Sequence, residues 1–402
     1  MACGLSAAAC GAPPEAAELA PEFQLFADAT QSIIQHCVYV PREREVIVGA
    51  LRALERSLGP AFAPQFPKEI PVEEDIAAVY IGTLRTIAAS KAAKSGRLSL
   101  KALVERSLDG YCRTLDAYSE YADEETARRI QAASAPDYVG IGVTVRRLPD
   151  GFFCAPFPGG AAHLAGVLRG DALLEIDGAN VRSMTLLEIS ARLSGRDGTT
   201  VRLKLKHSDG AVEVVPVVRE KVESTPLAFE EAEGFVRISI RRITERASDD
   251  LATLLKSIGP GRSLVLDFRG CPGGEFDAAM RVAELFLPEK TMIAKLETSR
   301  GREPQLSSNR APYRPRTLRL LQDELTASGA ELIIAALLSH PQIVKAESRG
   351  KKTFGKGVTQ RPIKLDAGGI LKISDARVYG PHDESWDGEG IPPSSEAKPD
   401  AP

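Results

Sequence analysis

The sequence predicts a chain of mixed class, in which a helical region and a small β-rich module precede an α/β domain. Three observations support this prediction. Apolar residues recur at helical spacing in residues 21–137, short β-rich runs between Gly, Asp and Asn turns fill residues 138–222, and strand-like and helix-like segments alternate in residues 223–398. With 402 residues, 43% of them hydrophobic and 26% charged, the chain is long enough for two or three packed domains.

The composition argues against several classes of function. The net charge of -3, with both signs interspersed, favours neither a nucleic-acid partner nor an acidic membrane surface. No run of 18 apolar residues is present, so we expect no integral membrane segment. The five histidines and six cysteines form no CxxC pair or His/Cys cluster, so we expect no metal site and no disulfide framework.

Residues 1–20 are predicted to lie outside the fold. They are rich in small residues and lack the basic n-region of a secretory signal. Two interpretations stay open. The segment is either a disordered leader or the remnant of a signal, with LSAAAC as a degenerate lipoprotein-like cleavage site.

Residues 21–137 are predicted to be helical. The runs FQLFADATQSIIQHCVYV and EREVIVGALRALERSL carry apolar residues at helical spacing, and the Pro-rich FAPQFPKEIPVEE breaks the pattern after them. The later run LVERSLDGYCRTLDAYSEYADEETARRIQ is also helical in pattern, with interruptions expected near Gly110 and Tyr118. This region alone indicates no function.

The β-rich module, residues 138–222, has the features of a peptide-binding domain. Gly140 and Gly142 flank Ile141 in YVGIGVTV, and glycines there can turn backbone N–H groups toward a carboxylate. The strand that begins near Val143 could then accept an added peptide strand. Taken alone, the two glycines fit tight packing or a bulge equally well. The downstream AGVLRGDALLEIDG resembles the PDZ pattern and favours peptide capture by these four residues.

Ser328 is the first of two residues in the α/β region that could support acyl transfer. It follows the predicted strand TLRLL and begins the apolar helix AELIIAALL. A helix N-terminus presents free N–H groups, which can stabilise an oxyanion. Locally, a helix cap is the more common explanation, because Ser328 and Glu331 have the spacing of a capping box. No GxSxG motif is present, and no histidine lies in a suggestive context.

Lys356, in TFGKGVTQ, is the second residue. If this segment is a strand, Lys356 and Gln360 lie on one face. A desolvated lysine has a lowered pKa and can take the proton of a serine, as in Ser-Lys catalysis. In that arrangement Gln360 would hold the amine without adding charge. Without further context, a surface lysine on an edge strand is the simpler interpretation.

The order of these parts decides between the alternatives. SLVLDFRGCPGGEFDAAMRVAELFL, TASGAELIIAALL, TFGKGVTQ and LKISDARVYGPHDESWDGEGIPP together resemble the C-terminal processing peptidases, which are tail-specific serine proteases. The resemblance spans about residues 31–395. It implies an α/β crotonase-like peptidase core with a PDZ domain that recognises substrate C-termini and gates access. It implies no metal, nucleotide or other cofactor.

The resemblance also assigns roles to individual residues. Ser328 corresponds to the nucleophile, Lys356 to the general base and Gln360 to the partner of the base. Gly273, Gly274 and the N–H of Gly329 correspond to the oxyanion hole. The segment DELTASGAE departs from the serine-rich family pattern, and Asp323 and Glu324 before Ser328 would raise the pKa of a nearby Lys356. An alternative therefore stays open, in which a weak or inactive relative acts as a PDZ scaffold.

The resemblance also predicts partners and location. Proteins or peptides with free C-termini are the expected substrates, and an adaptor protein and a homo-oligomer stay open. Proteases of this family act in the bacterial periplasm or cell envelope, which the resemblance implies for this chain.

Overall fold

The structure is a computed structural model that describes residues 20–72, 74–90, 93, 98–133, 139–148, 150–157, 159–222, 227–232 and 234–395. The leader predicted for residues 1–20 therefore lies almost entirely outside the described residues. The chain divides into two compact units. One comprises residues 1–131 with 360–375, and the other comprises residues 132–359 with 376–402. Among the described residues, no helix has the length and apolar composition needed to cross a bilayer.

The first unit is built mainly from helices. Its core contains the stacked rings of Phe26 and Tyr80, with centroids 4.0 Å apart, and the buried Tyr80 hydroxyl lies 2.5 Å from Ser107 Oγ. Leu371 and Ile373 of the returning segment pack into the same core. The elements are α1 Pro21–His36, α2 Glu43–Leu58, α3 Ile76–Ala89, α4 Leu100–Leu115, α5 Glu124–Ala133 and β1 Glu120–Ala122, with a 3-10 turn at Pro60–Gln65.

The interruption expected near Gly110 is wrong, because α4 continues through it to Leu115. Gly110 serves close packing instead. A Cβ at this position would lie 2.8 Å from the Cβ of Ala53 on α2, so the missing side chain lets the two helices approach. The interruption expected near Tyr118 is confirmed, since α4 ends at Leu115 and β1 begins at Glu120.

Substitution of Gly110 by alanine should therefore destabilise the first unit. Alanine gains about 1 kcal/mol of helix propensity over glycine, but overpacking typically costs about 1–3 kcal/mol. Gly82 in α3 provides the matched control, because a Cβ there meets nothing within 4 Å. We expect Gly82→Ala to raise the denaturant midpoint and Gly110→Ala to lower it. Equal stabilisation by both variants would contradict the packing described for α2 and α4.

The β-rich module lies in the second unit. Its sheet has the strand order β3-β4-β5-β7-β8, so β3 is an edge strand, and a helix, α7, packs beside it. The short β6 pairs with β5, and β2 pairs with β9. The elements are β2 Val139–Gly140, β3 Val143–Leu148, β4 Gly151–Pro156, α6 Ala161–Leu164, β5 Ala172–Ile176, β6 Ala179–Asn180, α7 Leu186–Leu193, β7 Thr200–Lys206, β8 Val212–Val218 and β9 Glu220–Lys221, with a 3-10 turn at Val181–Ser183.

The α/β region of the second unit is centred on the sheet β10-β11-β12-β15-β16. Strand β10 is antiparallel to β11, and the following pairs are all parallel. Parallel strands place their carboxyl ends at one edge, where ligand and active sites of such sheets lie. The elements are β10 Leu227–Ala232, β11 Phe235–Ile240, α8 Glu245–Ile258, β12 Ser263–Asp267, α9 Phe276–Glu284, β15 Leu318–Gln322, α10 Gly329–Leu338 and β16 Ala346–Gly350.

The remaining strands lie outside this sheet. Strands β13 and β14 form an antiparallel hairpin. The last strand, β18, pairs with β1 through its first residues and with β13 through its last ones. The remaining elements are β13 Met292–Thr298, β14 Gly301–Leu306, β17 Val358–Lys364 and β18 Ile370–Tyr379.

Candidate active site

Ser328 adopts a strained backbone conformation at the start of α10. Its φ of 55° and ψ of -121° lie in a region that residues with a Cβ rarely occupy. The Ser328 hydroxyl donates to and accepts from no capping group in the described part of the chain. Only half of the expected capping box is formed, in which the Ser328 N–H donates to Glu331 Oε2 at 2.8 Å. The cap interpretation therefore fails for the hydroxyl, which is left available for chemistry.

The Glu331 carboxylate joins the segment of Ser328 to that of Lys356. Oε2 accepts the backbone N–H groups of Ser328 and Lys356, each at 2.8 Å. Oε1 accepts the Gly355 N–H and the Thr353 hydroxyl, each at 2.6 Å. The side chain is completely buried, and this burial raises the pKa of Glu331, while the four donors oppose the rise. One carboxylate thus fixes both segments relative to each other.

The local sequence pattern predicts only a capping role for Glu331. The sequence nevertheless indicates that Glu331 does more than cap the helix. Glu331 is the single charged residue in GAELIIAALL, and Leu332, Ile333 and Ile334 after it are all buried. A helix that is apolar on every side is buried, and an acid within it requires donors from elsewhere in the fold. The identity of those donors could not be inferred from the pattern.

Gly273, Gly274 and Gly329 converge on Ser328. A Cβ at Gly273 would lie 2.8 Å from Ser328 Cβ, and a Cβ at Gly329 would lie 3.6 Å from the nitrogen of Gly274. The N–H groups of Gly274 and Gly329 donate to no acceptor among the described residues. Two unengaged amides from different segments beside one serine have the arrangement that an oxyanion requires.

The turn that contains Gly273 cannot accommodate larger residues. Gly273 has a φ of 85°, and a Cβ at Gly274 would lie 1.8 Å from the Ile243 carbonyl oxygen. The Gly273 carbonyl accepts the Ile243 N–H at 2.9 Å, which secures the turn to the end of β11. Cys271 in the same turn is buried, and burial raises the pKa of its thiol to about 12, so it is no competing nucleophile.

The loop before Ser328 is held by several strong contacts. Asp323 forms an ion pair with Arg169 of the β-rich module and accepts the Gly270 N–H at 3.0 Å. The Glu324 carboxylate lies 3.0 Å from Lys351 Nζ. Both acids thus pair with cations other than Lys356, and their effect on the pKa of Lys356 stays a prediction. Their role is to shape the loop.

A buried arginine of the β-rich module also holds this loop. Arg146, on β3, donates from Nη2 to the Leu325 carbonyl at 3.0 Å. Its guanidinium lies 5.3 Å from the ring centre of Phe354, near the Lys356 segment. The edge strand of the module thus contacts the segments on both sides of the site. The sequence gives no signal for this contact of Arg146, since 179 positions separate it from Leu325.

Lys356 lies before the strand in which the sequence pattern places it. Strand β17 begins at Val358, so the shared-face argument for Lys356 and Gln360 does not apply. Lys356 is half-buried, and Trp386 Nε1 donates to its carbonyl at 3.2 Å. A Cβ at Gly355 would lie 2.8 Å from the Gly390 nitrogen, so the closing segment packs tightly on the lysine segment. Backbone packing, rather than strand periodicity, positions Lys356.

Gln360 lies on β17 and belongs to the first compact unit. Its side-chain amide donates from Nε2 to the Tyr118 carbonyl at 2.7 Å. One boundary between the two units lies between Thr359 and Gln360. The partnership of Gln360 with Lys356 stays a prediction.

The four predicted peptide-binding residues form a continuous backbone segment at the start of β3. Gly140 lies in β2, Ile141 is buried, Gly142 has a φ of 65°, and Val143 opens the edge strand β3. The N–H groups of Ile141 and Gly142 donate to no acceptor within the described residues. The segment thus combines free amides with a strand edge, which are the requirements for capturing a C-terminal carboxylate.

Comparison with known proteins finds matches for two parts of the second unit. Residues 234–397 match the model of peptidase family S41, and residues 152–206 match that of the PDZ domain. Over these residues the chain is similar to peptidase family S41 and to the PDZ domain. Among curated relatives, it is 28% identical over 311 residues to the probable CtpA-like serine protease of Staphylococcus haemolyticus (strain JCSC1435), covering 76% of this chain and 61% of the relative.

Two further proteins are similar to this chain. The probable CtpA-like serine protease of Staphylococcus aureus (strain bovine RF122 / ET3-1) is 28% identical over 297 residues, covering 72% of this chain and 59% of the relative. The solved photosystem II D1 C-terminal processing protease shares the fold, with a TM-score of 0.69 and 19% identity, covering 95% of this chain and 94% of that one. This chain spans about three fifths of the length of the two curated relatives.

Proposed function

We propose that this protein is a serine endopeptidase that cleaves proteins near their C-termini through an acyl-enzyme. The observation that carries the proposal is the strained, uncapped Ser328 beside the unengaged amides of Gly274 and Gly329. Such strain persists only where the surroundings enforce it, and it concentrates at functional sites. The core is proposed to be crotonase-like, as the resemblance implies.

The proposed reaction uses Ser328 as nucleophile and Lys356 as general base. The Ser328 hydroxyl oxygen attacks the scissile carbonyl carbon, while the Lys356 amine takes the hydroxyl proton. The Gly274 and Gly329 N–H groups, beside the turn shaped by Gly273, donate to the oxyanion. The Lys356 ammonium then protonates the leaving amine, and water hydrolyses the ester with the amine again as base. Gln360 is proposed to orient that amine.

The PDZ domain is proposed to capture the substrate C-terminus. The amides of Ile141 and Gly142 would bind the terminal carboxylate, and the peptide would add to β3 beside α7. This arrangement brings a free C-terminus to the module that contacts the Ser328 loop through Arg146 and Arg169. Capture by backbone groups tolerates many sequences, which suits unstructured substrates with apolar ends.

The proposal also includes the location of the protein and its possible partners. The bacterial periplasm or envelope is the proposed location, since the implied relatives act there. An adaptor protein and self-association are compatible with the proposal, and neither is required by the site.

Wild type and Ser328→Ala provide the test. Each is incubated with an unstructured protein that bears an apolar C-terminus, and products are identified by mass spectrometry. We expect cleavage by wild type alone and equal binding of the C-terminal peptide by both. Binding without cleavage by either protein would reject the peptidase and favour the PDZ scaffold, which the altered DELTASGAE segment motivates.

A further inference from the structure

A cavity of about 730 Å³ lies where the PDZ domain meets the carboxyl ends of the parallel strands. Its PDZ side is formed by the end of β4, with Pro156 and Phe157, and by Arg169. Its other side consists of residues at the ends of β11, β12, β15 and β16. A volume of this size accommodates side chains of a bound peptide.

Two segments that line the cavity continue along the chain to the proposed active site. Asp323 lines it and lies five residues before Ser328 in the loop that positions the serine. Gly270 also lines it, at the start of the turn that continues to Gly273 and the oxyanion amides. The cavity and the proposed active site are therefore formed in part by the same two loops.

The charges that line the cavity are almost completely paired. Arg269 binds the Asp267 carboxylate through Nε at 2.8 Å and Nη2 at 2.5 Å. Arg169 pairs with Asp323, and Lys351 with Glu324. All three lining acids are thereby engaged.

Arg241 is the exception. It lines the cavity at the end of β11, is half-buried, and has no ion-pair partner among the described residues. A guanidinium offers a planar set of donors that matches a carboxylate. An entering carboxylate would therefore find an available cation, whereas an entering lysine would find no available acid.

We propose that this cavity is a substrate subsite that selects an acidic side chain, with Arg241 as the specificity-determining residue. The inference rests on the proposed peptidase function and adds a substrate class to it. The substrates are unstructured segments that carry Glu or Asp at one position near the scissile bond. This requirement is separate from capture of the C-terminal carboxylate, which uses backbone amides of the PDZ domain.

The test uses internally quenched peptides of one sequence, in which Glu, Gln or Lys replaces one residue in turn at positions around the cleavage site. At one position, wild type should cleave the Glu peptide with a kcat/KM about fivefold above that of the Gln peptide, as expected for a partly exposed ion pair. Arg241→Gln should remove this preference, and Arg241→Glu should shift it to the Lys peptide. The neighbouring Arg242 is exposed and lies outside the cavity lining, so Arg242→Gln is the matched control that should retain the preference.

A binding measurement separates failure of this inference from failure of the proposed function. In the Ser328→Ala background, fluorescence anisotropy compares the Glu and Gln peptides with and without Arg241→Gln. Cleavage without any acidic preference, or a preference that survives Arg241→Gln, would overturn the subsite but not the peptidase. Absence of cleavage with Arg241-dependent binding of the Glu peptide would reject the peptidase and support the acidic site. Equal binding of both peptides in that case would overturn the subsite as well.

Discussion

Replacement of Glu331 by glutamine should lower kcat/KM by about 100-fold to 1000-fold, with little change in the size and shape of the side chain. The carboxylate accepts four donors, from Ser328, Thr353, Gly355 and Lys356. A glutamine keeps one acceptor oxygen and turns an NH₂ group toward donors. The backbone of the nucleophile and that of the base then lose their common anchor, so the distance between them is no longer fixed.

The pH profile identifies this role specifically. The ionised Glu331 is the form that accepts all four donors, and burial raises its pKa above the usual glutamate value. Activity should therefore fall as the pH drops through this raised pKa. The free energy of unfolding changes in the opposite direction. Because the pKa of Glu331 is higher in the folded state than in the unfolded state, the protonated carboxyl group stabilises the fold at low pH. This stabilisation is lost as the pH rises through the folded-state pKa. Activity should thus disappear on the acid side while the protein stays folded.

The control is Glu303→Gln, which makes the same charge change at an exposed carboxylate on β14. It should leave kcat/KM and the acid limb unchanged. Steady-state kinetics across the pH range, with circular dichroism of the same samples, distinguish the outcomes. If Glu331→Gln keeps wild-type kcat/KM, the carboxylate does not position the site.

Replacement of Lys356 by alanine should reduce turnover by about 1000-fold or more, since general-base catalysis typically contributes up to about 10,000-fold. The C-terminal peptide should still bind with wild-type affinity, because its proposed ligands are the Ile141 and Gly142 amides. Lys356→Met should behave in the same way, because it preserves the length of the side chain without the amine.

Lys352→Ala is the matched control, four residues upstream on the exposed part of the same segment. It removes an equal charge and should leave turnover unchanged. Kinetics and peptide titrations of the three variants give the comparison. Loss of peptide binding in Lys356→Ala would show that Lys356 is structural, and retained turnover would exclude it as the base.

Much of the architecture follows from local sequence patterns. Periodicity predicted the helical region, the β-rich module and the alternating α/β segments, because each pattern reflects which side of an element is buried. It misplaced a break at Gly110, since glycine permits both chain breaks and close helix contacts. The contact with Ala53, which decides between these roles, is made by another helix.

The candidate site was only partly predictable. Ser328 could be selected because FRGCPGG and FGKGVTQ accompany it in the chain, although its local pattern favoured a cap. The strained φ and the uncapped hydroxyl are properties of the folded turn. Glu331 and Arg146 act through partners far along the chain, as the separation of Arg146 from Leu325 illustrates. Such tertiary contacts leave at most a weak signal in one sequence.

The central claim is that the Ser328 hydroxyl carries the acyl group, and trapping that intermediate tests it most directly. The protein is mixed with an activated ester of a substrate peptide and quenched in acid, and peptide mapping locates the added mass. We expect the acyl group on Ser328 in wild type and no adduct in Ser328→Ala. An acyl group on another residue, or an equal adduct in Ser328→Ala, would contradict the account.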